Sequence, residues 1–305
     1  MAFLGNDAWS VPSLRALAAS RHPVVLVVTR APKPAGRGNE PRPTPVAEEA
    51  RRLGLELAEI ETVKTGPGFK RLAASVPDVL AVVAYGEILP PTVLHIPRVA
   101  PVNLHFSLLP ELRGAAPVQT ALLAGMERTG VTTILMDKGL DTGPIILQRE
   151  VPILPDDDAG SLGARLAEIG AELLVETVDL LAAGPVAPRP QDPSLATFAP
   201  RFGPDDRVLD WSNPARLLVN LVRALSPDPG ATTTFRGQPL RVLRADVVPA
   251  EGEPGTIVEV RKDGFVVATA EGGFAPRLVQ PAGKRVMDAR DFVNGYRPQL
   301  GERLG

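Results

Sequence analysis

Cysteine is absent from this 305-residue sequence, and histidine occurs only three times. Without cysteine the chain has no disulfide, thiolate zinc site, iron–sulfur cluster or cysteine nucleophile. The histidines, His22, His95 and His105, show no paired His-x-x-x-His spacing. Because structural and catalytic metal centres rely on such clustered ligands, we expect no metal.

Long apolar runs and targeting signals are also missing. No apolar run approaches the ~18 residues that span a bilayer, which predicts a chain without membrane insertion. The N-terminal residues 1–6 show neither a basic signal-peptide region nor an Arg-rich presequence, and we expect a cytoplasmic protein. The net charge of −2 provides no global attraction to nucleic acid, so a polyanionic partner would have to meet a local basic patch.

Up to about residue 155, short β-rich apolar runs alternate with segments of helical periodicity. This alternation is typical of an α/β unit with a mainly parallel sheet covered by helices. Two segments that begin with proline, at residues 45–53 and 117–124, favour helices. Four runs are predicted as buried strands: residues 24–29, 79–84, 99–105 and 131–136.

The domain boundary is predicted from a change in pattern after a long helix. Apolar residues from Leu162 to Leu181 recur at spacings of three and four, which marks one face of that helix. The proline-rich run over residues 184–193 indicates an extended linker. We therefore predict a first domain over residues 1–183, a linker over 184–206 and a second domain over 207–305.

The second domain is predicted to be one helix followed mostly by strands. Asn213 and Pro214 suit the N-cap and first turn of a helix that ends near Leu225. Hairpin turn signals at residues 262–264 and 272–273 separate the β runs that follow. Those runs cover residues 240–248, 256–260, 265–269 and 274–280, and they predict a small β-barrel.

The sequence around residue 105 carries residue types suited to acyl transfer. Asn103 and His105 lie two positions apart on a predicted strand, so an amide donor and an imidazole project from one face. Amine attack on a formyl carbon places negative charge on oxygen, which Asn103 and a protonated His105 can stabilise. Asp141 either orients His105 and favours its charged form, or holds a water that relays the amine proton.

Residues 103–110 read Asn-x-His-x-Ser-Leu-Leu-Pro and residues 140–143 read Leu-Asp-Thr-Gly. Together they resemble the signature of the folate-dependent formyltransferase family. The resemblance implies an α/β fold, with a Rossmann-like N-terminal formyltransferase domain and a smaller C-terminal β-barrel of the OB-like type. It implies 10-formyltetrahydrofolate as the formyl donor. By the same resemblance, the catalytic residues are Asn103, His105 and Asp141, and the loop against the folate is Ser107, Leu108, Leu109 and Pro110.

Further stretches, at residues 33–38, 113–117, 280–284 and 291–295, resemble the branch of this family that acts on methionyl-tRNA. This implies formylation of the α-amino group of methionyl-initiator tRNA for translation initiation. Arg37, in a glycine-flanked loop, would then contact the tRNA, and residues 207–305 would form a tRNA-binding domain. Cations scattered over that domain would share this purpose. We expect a monomer.

Several positions depart from the family pattern, and other functions compete with this one. The departures are Asn6, Asp7, Phe106, Glu111 and Pro204. A formyltransferase for a nucleotide-linked amino sugar and a hydrolase that releases formate would share the chemistry, but the motifs near the chain end argue against both. A dinucleotide-binding dehydrogenase needs two more glycines after Gly5. A pure nucleic-acid-binding protein would leave the catalytic residues without a role.

Overall fold

The computed structural model describes residues 1–35 and 40–305. Arg37, predicted to contact tRNA, lies outside the described residues. The chain divides into two units that interleave along the sequence. The first unit comprises Met1–Pro117, Arg128–Pro152 and Gly163–Ala199, and the second comprises Val118–Glu127, Ile153–Leu162 and Pro200–Gly305.

Both units contain strands and helices. The strands are β1 Ala2–Gly5, β2 Leu26–Arg30, β3 Lys33–Ala35, β4 Glu40–Arg42, β5 Leu57–Ile60, β6 Val79–Val83, β7 Ala100–His105, β8 Arg113–Gly114, β9 Arg128–Leu135, β10 Ile145–Pro152, β11 Phe198–Ala199, β12 Ala231–Phe235, β13 Gln238–Val248, β14 Ile257–Arg261, β15 Gly264–Ala268, β16 Gly273–Pro281 and β17 Met287–Asp288. The α-helices are α1 Val11–Ala19, α2 Pro45–Arg52, α3 Gly66–Ala74, α4 Pro91–Leu94, α5 Pro117–Leu123, α6 Ala159–Ala183, α7 Ala215–Leu225 and α8 Ala289–Tyr296. Short 3-10 turns cover Ala8–Ser10, Pro193–Leu195 and Asp205–Arg207.

A seven-stranded sheet forms the centre of the first unit, in the order β10-β9-β7-β6-β1-β2-β5. The five strands from β7 to β5 pair in parallel, whereas β9 and β10 are antiparallel additions at one edge. This confirms the predicted Rossmann-like α/β class. The chain order reverses direction between β1 and β6, and in open parallel sheets ligands bind beyond the carboxyl ends of the strands near such a point. Strand β7 lies next to β6, so its carboxyl end is close to this point.

The predicted long helix is present as α6. It passes close to strand β7, because a Cβ atom added at Gly170 would lie 2.8 Å from Cδ2 of Leu104. Glycine at this position leaves room for the Leu104 side chain, and the neighbours of Leu104 on that strand are Asn103 and His105. Within residues 1–35 and 40–305, no helix is both long and apolar enough to cross a membrane.

The second unit contains an antiparallel sheet in the order β12-β13-β16-β15-β14, with β17 paired to β16. Its edges are joined by the C-terminal residues, since Leu304 bridges Phe235 on β12 and Arg303 bridges Thr256 next to β14. This arrangement confirms the predicted barrel class. The helix prediction is wrong in one detail: Pro214 occupies the N-cap position of α7. The side chain of Asn213 instead donates to the carbonyl of Asp210.

The proline-rich segment predicted as a linker contacts the first unit. Arg189 pairs with Ile145 in an antiparallel bridge, and β11 pairs in parallel with β8. Residues as far as Ala199 therefore belong to the first unit. The domain limits at residues 183 and 206 stay a prediction.

Candidate active site

Strand β7 brings Asn103 and His105 to the carboxyl edge of the parallel sheet, and His105 is its last residue. Both side chains reach Asp141, on the loop before β10. Nδ2 of Asn103 lies 3.5 Å from Oδ1 of Asp141, and Nδ1 of His105 lies 3.7 Å from Oδ2. Residues at i and i+2 on a strand share a face, which explains how both meet one carboxylate.

The imidazole of His105 is fixed by a contact that the sequence did not indicate. Its Nε2 lies 2.9 Å from the carbonyl oxygen of Leu112, and only 6% of His105 is exposed. A carbonyl only accepts hydrogen bonds, so Nε2 is the protonated, donating nitrogen. The Nδ1 atom therefore faces Asp141 and is the ring nitrogen available for proton exchange.

Asp141 sits in a backbone conformation that its surroundings impose. Its φ of 53° is in the left-handed region, which Asp tolerates better than most residues. The backbone N–H of Gly114 donates to Oδ2 at 2.9 Å and fixes the carboxylate. At Gly143, an added Cβ would lie 1.7 Å from the carbonyl oxygen of Leu135, so the tight turn requires glycine there.

Gln191 also holds this turn, although it lies in the segment predicted as a linker. Its Nε2 donates to the carbonyl oxygens of Asp141 and Gly143, each at 2.7 Å. Its Oε1 accepts from Nε and Nη2 of Arg113, at 3.1 and 2.7 Å. Sequence reasoning missed this residue because no local pattern links it to a turn about 50 positions earlier in the chain.

Hydrogen bonds to two backbone carbonyls fix the predicted folate loop. Ser107 donates from Oγ to the carbonyl of Glu111 at 2.6 Å, and the side chain of Gln148 donates to the carbonyl of Leu109 at 2.9 Å. Ser107 and Leu109 are both buried, whereas Leu108 and Pro110 are partly exposed. The exposed surface of the loop thus comes mainly from Leu108 and Pro110, and its folate role stays a prediction.

The departures from the family pattern have local structural roles. Asn6 accepts hydrogen bonds from the Thr29 hydroxyl and the Arg30 backbone, at 2.9 and 2.7 Å. Its amide also donates to the carbonyl of Tyr85, which ties together the ends of β1, β2 and β6. The remaining departures are accommodated as follows: Asp7 caps the turn at Trp9, Phe106 packs edge-on against Trp9, Glu111 is exposed, and Pro204 precedes the turn at Asp205.

The polar groups around the site are amide, imidazole and carboxylate. In the described part of the chain, no group of three or more His, Asp or Glu residues is arranged to hold a metal ion. The site thus offers a hydrogen-bond donor from Asn103 beside the free Nδ1 of His105 and the acceptor oxygens of Asp141. Such a set can bind a carbonyl oxygen and exchange a proton next to it.

Sequence comparison gives matches over nearly the whole chain. A family model described as formyl transferase matches residues 1–178, and one described as formyl transferase, C-terminal domain, matches residues 201–297. The methionyl-tRNA formyltransferase of Roseiflexus sp. (strain RS-1) is 46% identical over 307 residues. That alignment covers 99% of this chain and 94% of the relative.

Solved structures share the fold at low sequence identity. HypX from Aquifex aeolicus, in complex with tetrahydrofolic acid, matches with a TM-score of 0.65 at 17% identity. The match covers 99% of this chain but 48% of HypX, so the chain spans about half of that protein. An N-formyltransferase from Helicobacter canadensis, in complex with folinic acid and dTDP-3-aminofucose, gives a TM-score of 0.66 at 17% identity, covering 92% of this chain and 98% of that one. These likenesses concern the fold alone.

Proposed function

The chain belongs to the formyl transferase family, and we propose that it transfers the formyl group of 10-formyltetrahydrofolate to the α-amino group of methionyl-initiator tRNA. The product is N-formylmethionyl-tRNA for translation initiation. The observation that carries the proposal is the meeting of Asn103 and His105 at one Asp141 carboxylate, within 3.5 and 3.7 Å. The 46% identity to a methionyl-tRNA formyltransferase over 99% of the chain supports the acceptor.

The reaction needs stabilisation of negative charge on the formyl oxygen. The amine nitrogen bonds to the formyl carbon, the bond from that carbon to N10 breaks, and one amine proton ends on N10. Asn103 has two Nδ2 hydrogens, and one points to Asp141, which leaves the other for the formyl oxygen. Such a donor, fixed before the reaction starts, stabilises the charge without reorganisation.

His105 and Asp141 handle the proton. Because Nε2 of His105 donates to Leu112, proton exchange takes place at Nδ1, on the side of Asp141. The Gly114 N–H keeps the Asp141 carboxylate within reach of this nitrogen. Asp141 orients Asn103 and His105 and passes the amine proton towards the leaving nitrogen, directly or through a water.

We also propose the placement of the two substrates. Ser107, Leu108, Leu109 and Pro110 form the loop along the folate, with Leu108 and Pro110 offering its exposed surface. Residues 207–305 and Arg37 contact the tRNA. The enzyme acts as a monomer in the cytoplasm, where charged initiator tRNA is consumed. Sedimentation of the free protein and of its tRNA complex tests the monomer.

Formylation of charged initiator tRNA tests the function directly. The protein is incubated with 10-formyltetrahydrofolate and methionyl-initiator tRNA, and formylmethionine is released by base and identified by mass. Uncharged tRNA and a dTDP-linked amino sugar serve as competing acceptors, and a reaction without acceptor measures formate release. We expect product only with charged tRNA. Formylation of the sugar, or formate release that needs no acceptor, would replace the proposal with one of the two competing functions.

A further inference from the structure

The Asp141 turn is held by a side chain from a distant part of the chain. Gln191 bonds both ends of the Asp-Thr-Gly turn, through the carbonyls of Asp141 and Gly143. The turn needs such support because Asp141 adopts a left-handed φ of 53°. A non-glycine residue in this region is strained and persists only where neighbouring contacts impose it.

The chemistry of the four contacts admits one type of side chain. Carbonyl oxygens only accept hydrogen bonds, and the guanidinium of Arg113 only donates them. A primary amide with its oxygen towards Arg113 and its nitrogen towards the two carbonyls satisfies both sides at once. Glutamate lacks the donors, and methionine has no donor and only a weak sulfur acceptor. The amide orientation of Gln191 is therefore determined.

Arg113 links the same contact to the Asp141 carboxylate. Arg113 is 6% exposed, and within residues 1–35 and 40–305 its side chain forms no ion pair, only the bonds to Gln191. The next residue, Gly114, supplies the N–H that donates to Oδ2 of Asp141. Gln191 thus contacts the backbone of Asp141 directly. Through Arg113 it also contacts strand β8, whose Gly114 N–H holds the Asp141 carboxylate.

We propose that Gln191 is a positioning residue for formyl transfer, which sets the place of the Asp141 carboxylate relative to Asn103 and His105. The inference rests on the proposed function. It assigns residues 185–199, which the sequence indicates only as a linker, to the support of the active site. Gln191 acts through Asp141, so its loss lowers turnover and leaves substrate affinity nearly unchanged.

Two nearly isosteric variants separate the contacts. Gln191→Met keeps the length and most of the volume but removes all four hydrogen bonds. Gln191→Glu keeps an acceptor for Arg113 but removes both donors to the turn. We expect kcat to fall about 10- to 100-fold in both, with KM for either substrate changed by less than about 2-fold. Asp192→Ala is the matched control, because it removes the cap on Ser194 next door and leaves the Gln191 contacts in place.

Hydrogen exchange of the Gly114 amide gives a readout without turnover. This N–H bonds only to Asp141 in the described structure, and its exchange reports whether the carboxylate stays in place. Faster exchange is expected in both Gln191 variants and unchanged exchange in Asp192→Ala. A Gln191→Glu enzyme with wild-type kcat and wild-type Gly114 exchange would overturn the inference. If the wild type formylates no methionyl-tRNA, the proposed function fails, while the exchange result still tests the Gln191 contact.

Discussion

The imidazole of His105 and the carbonyl of Leu112 form a hydrogen bond of 2.9 Å that determines which ring nitrogen is free. Because the carbonyl accepts, Nε2 is committed as a donor and Nδ1 is left facing Asp141. The bond therefore has two effects: it satisfies a backbone acceptor next to a buried ring, and it directs proton exchange to one atom. Substitutions at His105 can separate these effects.

His105→Gln and His105→Ala should differ in stability more than in activity. Both remove the imidazole, and kcat for methionyl-tRNA should fall about 100-fold or more in each, because proton exchange at Nδ1 is lost. Glutamine can still donate to Leu112, whereas alanine leaves this carbonyl without its partner at a cost of about 1–3 kcal/mol. Formylation rates and urea unfolding of the two variants provide the measurement. Near-normal turnover in a folded His105→Ala protein would remove His105 from the mechanism.

Asp141→Asn and Asp141→Ala test the carboxylate separately from the turn. Asparagine tolerates the left-handed φ of 53° as well as aspartate does and keeps an acceptor for Gly114. We expect Asp141→Asn to fold with wild-type stability and lose about 100-fold or more in kcat, because its amide cannot accept a proton. Asp141→Ala should in addition lose stability by about 1 kcal/mol. Equal turnover in wild type and Asp141→Asn would contradict a role for the charge.

Much of the first unit could be predicted from local patterns. The apolar run of β6 indicated a buried central strand, because strands covered on both faces are apolar throughout. The spacing of Asn103 and His105 indicated that their side chains share a face. The requirement for glycine at Gly143 is visible only in the structure, because the Leu135 carbonyl oxygen lies where a Cβ atom would be.

Contacts between distant segments could not be predicted in this way. The proline-rich pattern around Gln191 indicates an extended chain but not its partner, and nothing local points to Asp141. Likewise, barrel closure by Arg303 and Leu304 depends on single bridges without a periodic pattern. The Pro214 prediction failed because N-cap preference describes a side chain that bonds the helix, whereas Asn213 bonds Asp210.

Glu49 should make the stability of the protein sensitive to acid. Hydrogen bonds from Arg52 and Arg15 lower the pKa of Glu49 from its ordinary value of 4.5 to about 2. The ionised carboxylate therefore stabilises the fold fully above pH about 4.5, and this contribution is lost as the pH falls towards about 2. Glu49→Gln should be less stable than wild type at pH 7 and show a smaller loss between pH 5 and pH 3.

Urea unfolding at several pH values measures this dependence. Glu48→Gln is the matched control, because Glu48 is exposed on the same helix while Glu49 is buried. We expect Glu48→Gln to follow the wild-type dependence on pH. Parallel curves for wild type and Glu49→Gln over this range would show that the ion pairs with Arg15 and Arg52 do not act in the folded protein.

The salt dependence of tRNA binding should identify which barrel cations face phosphates. Arg261 is already engaged, since its Nε lies 2.5 Å from Oε1 of Glu259. Lys284 and Arg285 are exposed, and in the described part of the chain neither side chain forms an ion pair. Because a paired cation brings little net charge to a phosphate, we expect Lys284 and Arg285 to contribute more to binding.

Replacing both Lys284 and Arg285 with alanine should flatten the slope of log Kd against log salt concentration by about 1.4 to 1.8. Each phosphate that a cation neutralises releases about 0.7 to 0.9 of a counterion, and the variant lacks two such cations. The double variant Glu259→Gln with Arg261→Gln is the matched control, since it removes two opposite charges and leaves the net charge unchanged. Its slope should equal that of the wild type. Arg37→Ala should lower kcat/KM for charged tRNA without changing folate affinity, because the predicted contact of Arg37 is with the tRNA alone. Titrations of charged tRNA at several salt concentrations decide between these cations. An unchanged slope after loss of Lys284 and Arg285 would mean that this part of the barrel does not meet the phosphates, whatever the effect of Arg37.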